Sequence, residues 1–112
     1  MSNTIARKLD SIETKGAMRS VDVANLLGAR PETVSRWNQG KAFPRPDAQK
    51  NLLSLEYIVD QLSDIYEPIE ARFWLFSPQR LLDGNSPATF IREGKIDTVI
   101  EVVERLRAGV FV

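Results

Sequence analysis

The side chains best suited to chemistry in this sequence lie between residues 31 and 50, and they suit recognition better than catalysis. In PETVSRWNQGK, Val34 and Trp37 stand three apart, a spacing that brings both to one face of a helix. Turning that face inward, at about 100° per residue, sets Glu32, Ser35, Arg36 and Gln39 on the opposite side. All four are polar and can reach base edges: Arg36 suits guanine, Gln39 adenine, and Glu32 the amino group of cytosine. Lys41, Arg45 and Lys50 follow as candidate phosphate partners flanking a groove. The alternative is a helix pair in an ordinary bundle whose polar face is simply solvated.

Catalysis has less to work with. The chain holds no cysteine, which removes disulfides and thiolate chemistry. It holds no histidine, the commonest general base and metal ligand. Carboxylates such as Glu67, Glu70 and Asp83 stand without a Gly-rich phosphate loop or a nucleophile beside them. The expectation is a protein that is not an enzyme and uses neither a cofactor nor a metal. The first ten residues, MSNTIARKLD, lack the apolar stretch of a signal peptide, and no apolar run approaches the length of a membrane span. A cytoplasmic protein without membrane contact is therefore expected.

The polar face needs elements to hold it. Val23, Ala24 and Leu27 give SVDVANLL an apolar stripe at helical spacing. Gly28 suits the left-handed exit from that helix, and Pro31 the first turn of the next. Arg30 stands near the N-cap of the second helix, where Ser, Thr, Asn or Asp would be stronger. Residues 3–15 carry Ile5, Leu9 and Ile12 and predict a packing helix that Gly16 can end. The link KAFPRPD breaks any helix with its two prolines. Phe43 is expected to dock this link onto the core. The domain boundary falls here, giving domains 1–45 and 46–112.

Pro46 to Tyr66 reads as the longest helix, with Leu52, Leu55, Val59, Leu62 and Tyr66 in a three-four alternation. Leu53, Ile58 and Ile65 widen its stripe, either as core or as part of a dimer interface. Glu67 to Ser77 predicts a short helix whose aromatics, Phe73, Trp74 and Phe76, suit a core. Ser77-Pro78 and Ser86-Pro87 each read as the start of a helix, with Leu81, Leu82, Phe90 and Ile91 as apolar positions. The last helix, Ile96 to Arg107, carries Ile96, Val99, Ile100, Val103 and Leu106, with Arg105 and Arg107 in its final turn. No stretch reads as a convincing strand. The fold class is all-α: an N-terminal helix-turn-helix bundle followed by a small helical domain.

Net charge is zero but unevenly spread. Residues 1–50 carry nine Lys/Arg against five Asp/Glu, and residues 51–112 carry six against ten. A basic half suits an anionic partner, and the acidic half implies a second task. After Gly109 the chain finishes Val110-Phe111-Val112, an apolar ending where most are polar. Either this tail folds back onto its own domain or a dimer mate, or it enters a cleft on a partner.

The segment from Ser20 to Lys41 resembles the helix-turn-helix of the Xre group, with Ala24, Gly28 and Val34 at the positions that pattern requires. The second half is similar to the toxin-binding domain of Xre/MbcA/ParS antitoxins. The features that carry this likeness are Ser77-Pro78, Leu82-Asp83-Gly84, Ser86-Pro87, Gly94 and Gly109-Val110-Phe111. In length and ending the chain most resembles the MbcA-like members. The resemblance implies an antitoxin of a type II toxin–antitoxin system, with operator DNA as one partner and a RES-domain toxin that destroys NAD, by hydrolysis or phosphorolysis, as the other. It implies that the C-terminal end helps to block the toxin's active site. The expected contacts there are Arg105, Arg107, Gly109, Val110, Phe111 and Val112, with Phe111 as the aromatic anchor. A homodimer or larger complex is expected, because one helix-turn-helix reads only a few base pairs. The alternative is a homodimeric repressor or DNA-organising protein with no toxin partner.

Overall fold

A computed structural model describes residues 3–109, and among them every regular element is helical. The helices are α1 (Thr4–Gly16), α2 (Ser20–Leu27), α3 (Pro31–Asn38), α4 (Pro46–Leu62), α5 (Pro68–Phe76), α6 (Pro87–Arg92) and α7 (Ile96–Arg107). α1 packs against α4 and α5, α4 against α7, and α2 against α3 and α6, while α6 also meets α5 and α7. Buried side chains from residues 5–37 and from residues 52–103 form a single cluster, so the core runs across the proline-rich link.

Asn3 caps α1, its Oδ1 accepting from the N–H groups of Ile5 and Ala6 at 3.0 and 3.2 Å. Ile5, Leu9 and Ile12 are buried, as their spacing requires. The end of α1 differs from expectation. Ala17, not Gly16, takes the left-handed turn, at φ +53°. Gly16 instead lies tightly against α4: a Cβ there would lie 3.0 Å from Val59 Cγ1 and 3.3 Å from Met18 Cε.

α2 buries Val23, Ala24 and Leu26, and Leu27 is only half-buried. Its stripe is rotated because α2 packs on α6 as well as α3. α4 ends at Leu62, one turn before Tyr66, and its tail closes through the Tyr66 N–H donating to the Leu62 carbonyl at 2.8 Å. Ile58 joins the core while Leu53 and Ile65 stay exposed. In α7, Val102 is buried alongside Ile96, Val99 and Val103, whereas Ile100 and Leu106 pack at the margin.

Two aromatic expectations are overturned. Phe43 does not dock the link; it is exposed, and Pro44 is buried in its place. Of the α5 aromatics only Trp74 is buried; Phe76 is half-buried with the Arg72 guanidinium 5.1 Å from its ring centre, and Phe73 points out. The four consecutive bulky residues Phe73 to Phe76 span about 300° of a helix at ~100° per step, so one face of α5 cannot bury them all. Ser77-Pro78 also fails to start an α-helix. Ser77 ends α5, its hydroxyl donating to the Phe73 carbonyl, and only a 3₁₀ turn, Arg80–Leu82, follows. The Gln79 N–H donates to the Asn85 carbonyl at 3.0 Å and the Gly84 N–H to the Gln79 carbonyl at 2.9 Å, which closes residues 79–85 into a loop. Ser86-Pro87 does start α6, with Ser86 Oγ accepting from the Thr89 N–H at 3.1 Å.

The α1–α4 approach yields a stability prediction. Gly16→Val places two further methyl groups where a single Cβ already touches Val59, and overpacking of this kind costs about 1–3 kcal/mol. Thermal unfolding followed by circular dichroism should show a clearly lower midpoint, and an unchanged midpoint would mean that α1 and α4 can separate freely at this point.

Candidate nucleic-acid and partner interfaces

Gly28 turns the chain out of α2 in the left-handed region, at φ +69° and ψ +27°, with its N–H donating to the Ala24 carbonyl. Only three residues, Gly28 to Arg30, separate α2 from α3. Pro31 opens α3, and Arg30 occupies the N-cap with no side-chain capping bond. Val34 and Trp37 of α3 are buried. Glu32, Arg36 and Gln39 are exposed and Ser35 is half-buried; Gln39 lies at the C-cap, one residue past the end of α3. Lys41, Arg45 and Lys50 are exposed beyond it, and none of them pairs with a described carboxylate. The structure therefore leaves the sequence-derived face open to solvent.

Beside it the N-terminal ends of α2 and α3 enclose a shallow concavity of about 520 Å³, lined by Arg19, Ser20, Val21, Glu32 and Ser35 among others. Sequence reading missed Arg19 and Val21, because only the packing of α2 on α3 brings them beside Ser35.

A second site lies on α5. Ile69 is 71% and Phe73 73% exposed, the two most exposed large apolar side chains among the described residues. With Tyr66, Trp74 and Pro78 they line a groove of about 560 Å³. The spacing of four between Ile69 and Phe73 was the available signal, but it reads equally well as core. A third concavity, about 440 Å³, lies between α4 and α7 and includes Lys50, Leu53, Tyr57 and Ile100. Tyr57 donates to Glu104 Oε2 at 2.8 Å on its rim, and that bond holds the phenol's pKa above its usual value.

Of the C-terminal residues expected to meet a partner, Arg105 is exposed, and Arg107 Nε is bonded to Asp64 Oδ2 at 2.7 Å. Gly109 is exposed at φ +76°. Val110, Phe111 and Val112 lie outside the described residues.

One polar cluster ties the two halves together. Arg72 on α5 grips Asp22 on α2 with both terminal nitrogens, at 2.8 and 3.1 Å, and donates to the Ala17 carbonyl at 3.2 Å. Asp22 also accepts from the Arg19 N–H at 3.0 Å, capping α2. Burial alone pushes the Asp22 carboxyl up, but the hydrogen bonds from Arg72 and from Arg19, with the charge of Arg72, outweigh it and hold the group below its ordinary value of 3.8.

These elements define a class: an all-α protein that joins a helix-turn-helix to a second helical segment bearing an exposed apolar face. The family model described as the antitoxin Xre/MbcA/ParS C-terminal toxin-binding domain matches residues 61–109. The mycobacterial cidal antitoxin MbcA of Mycobacterium tuberculosis is 29% identical over 110 residues, covering 98% of this chain and 97% of its own. A probable mycobacterial cidal antitoxin of the same organism is 28% identical over 117 residues and matches along the whole of both chains. The crystal structure of the M. tuberculosis MbcT–MbcA toxin–antitoxin complex contains a chain that superposes with a TM-score of 0.84 at 31% identity, covering 99% of this chain and 100% of that one. The chain belongs to the Xre/MbcA/ParS family of antitoxins.

The Asp22–Arg72 pair carries a pH prediction. Arg72→Met should cost about 1 kcal/mol at neutral pH, the upper range for partly exposed pairs. Because the folded pKa of Asp22 lies below its unfolded one, the pair stabilises fully above about pH 4 and loses its effect as pH falls through the folded value. The difference in melting temperature between wild type and variant should be largest at neutral pH and narrow in acid, where only the bond to the Ala17 carbonyl and the Phe76 contact remain. A constant difference down to low pH would assign the loss to the Ala17 bond and the Phe76 contact rather than to Asp22.

Proposed function

We propose that this antitoxin neutralises a RES-type, NAD-degrading toxin through its C-terminal half and regulates its own operon through the α2–α3 helix-turn-helix. The observation that carries the toxin-binding part is the exposed Ile69–Phe73 face of α5. Lone apolar side chains on a surface need no explanation, but a contiguous apolar groove marks an interaction site, and this one lies within residues 61–109, which the toxin-binding domain model matches. Phe73 inserts into the toxin as a central anchor. Arg105, Gly109 and the tail Val110–Val112 extend the contact toward the toxin's active site, while Arg107 stays with Asp64.

On the operator side, α3 enters the major groove. Arg36, Glu32, Ser35 and Gln39 face the bases, and Lys41, Arg45 and Lys50 neutralise phosphates. Two copies joined along the α4–α7 concavity at Leu53 and Tyr57 would read half-sites about one helical turn apart.

The toxin-binding part is tested with the product of the adjacent reading frame, in mixtures followed by NAD loss. Phe73→Asp and deletion of Val110–Val112 should each release NAD consumption, while helicity by circular dichroism and DNA affinity stay as in wild type. Full inhibition by both variants would move the inhibitory surface elsewhere, to residues 77–94. If the intact protein neither inhibits the enzyme nor co-purifies with it, while still binding DNA as a dimer, the reading as a plain repressor replaces this one.

For the operator, Arg36→Ala should cost about 1–3 kcal/mol and relax base preference at one position. An unchanged gel-shift titration would reject the assigned face.

A further inference from the structure

The segment between α3 and α4 is short and anchored at both ends. The N–H groups of Lys41 and Ala42 both donate to the Arg36 carbonyl, at 2.9 and 3.4 Å, and Gly40 supports the turn at φ +75°. Asn3 Nδ2 donates to the Trp37 carbonyl at 3.1 Å, tying the end of α3 to the start of α1. On the other side Pro44 is buried, and the Arg45 carbonyl accepts from the Gln49 N–H at 2.8 Å as α4 begins. Between these anchors Phe43 is 66% exposed.

An isolated exposed apolar residue is ordinary. This one differs in its setting. The residue next to it in the chain is buried, so the link is packed down while the ring is held outward. Its near neighbours in sequence, Lys41 and Arg45, are exposed cations without a described carboxylate partner, and Arg36, whose carbonyl anchors the link, is exposed as well. An exposed aromatic ring flanked in sequence by exposed cations without described carboxylate partners suits a partner that alternates negative charge with apolar surface. The sugar–phosphate backbone of DNA does so: phosphates meet the cations, and deoxyribose faces meet the ring.

We propose that Phe43 is a DNA-contacting residue, its ring lying against deoxyribose at the edge of the major groove that α3 enters, with Lys41 and Arg45 on the adjoining phosphates. This rests on the operator-binding reading above and adds to it an apolar contact that is independent of sequence. Such a contact has its own signature. Removing it weakens specific and non-specific duplex alike, since no base edge is involved. It leaves the slope of log affinity against log salt unchanged, since a ring displaces no counterion.

The test titrates the full chain with two duplexes of equal length, one carrying the region upstream of its gene and one scrambled, over a series of salt concentrations. Phe43→Ala should bind both about tenfold more weakly, with the wild-type salt slope. Phe43→Leu should recover part of the loss. Lys41→Ala, as the control, should flatten the slope by about one. Circular dichroism and sedimentation should be unchanged, because the side chain is outside the core. Wild-type affinity in Phe43→Ala overturns the proposal and leaves the operator reading standing. A loss confined to one duplex, a flattened slope, or a shift to monomer overturns it in favour of a base contact, a loop collapse or a protein interface respectively. If wild type binds neither duplex, the operator reading falls and this proposal with it.

Discussion

The packing of α1 against α4 is the contact on which the other elements depend. α2 and α3 have eight residues each, well short of the roughly 12–15 that hold a helix together in water. They persist because their buried side chains, Val23, Leu26, Val34 and Trp37, join the same apolar core as those of α1 and α4. Gly16 permits the close approach to Val59. Lys8–Glu56 and Lys15–Asp60, at 3.5 and 2.6 Å, border the same seam. Such exposed pairs add little energy, but their placement suits one register of α1 on α4. α4 also supports α7, so the open face of α3 and the exposed apolar face of α5 are carried by one core.

Charge is used differently on those two sides. Around α3 the cations Arg36, Lys41, Arg45 and Lys50 are left without described carboxylate partners. In the second half several cations are engaged within the protein: Arg72 with Asp22, Lys95 with Glu93 and Arg107 with Asp64. Cations left without carboxylate partners keep a positive field over the α3 face. A surface that meets a protein can bind through apolar area, as the Ile69–Phe73 face offers. The Asp22–Arg72 clamp sits where the two sides meet, tying the start of α2 to the helix that carries Phe73.

Much of this was legible from residue types and spacing. Apolar residues at threes and fours determined α1, α4 and α7, since burying one face is the only stable use of such a stripe. Gly28 and Pro31 determined the helix-turn-helix, because few residues accept the left-handed turn or suit a first helical turn without an N–H. Val34 and Trp37 inward then made Glu32, Arg36 and Gln39 outward by geometry alone. The likeness to Xre/MbcA/ParS antitoxins was likewise carried by the sequence, in the Ser-Pro and Leu-Asp-Gly steps of the second half. What the tertiary structure decided is which apolar residues remain uncovered. Phe43, Ile69 and Phe73 are as hydrophobic as Leu52 or Trp74, and periodicity cannot separate them. Their exposure depends on whether another helix arrives to cover them, which is a property of the assembled layers. Gly16 was ambiguous for the same reason: a glycine at a helix end reads as a stop until Val59 is found against it. The pairing of Asp22 with Arg72, fifty residues apart, also needed the fold, since local spacing carries no information about which distant charges packing will bring together.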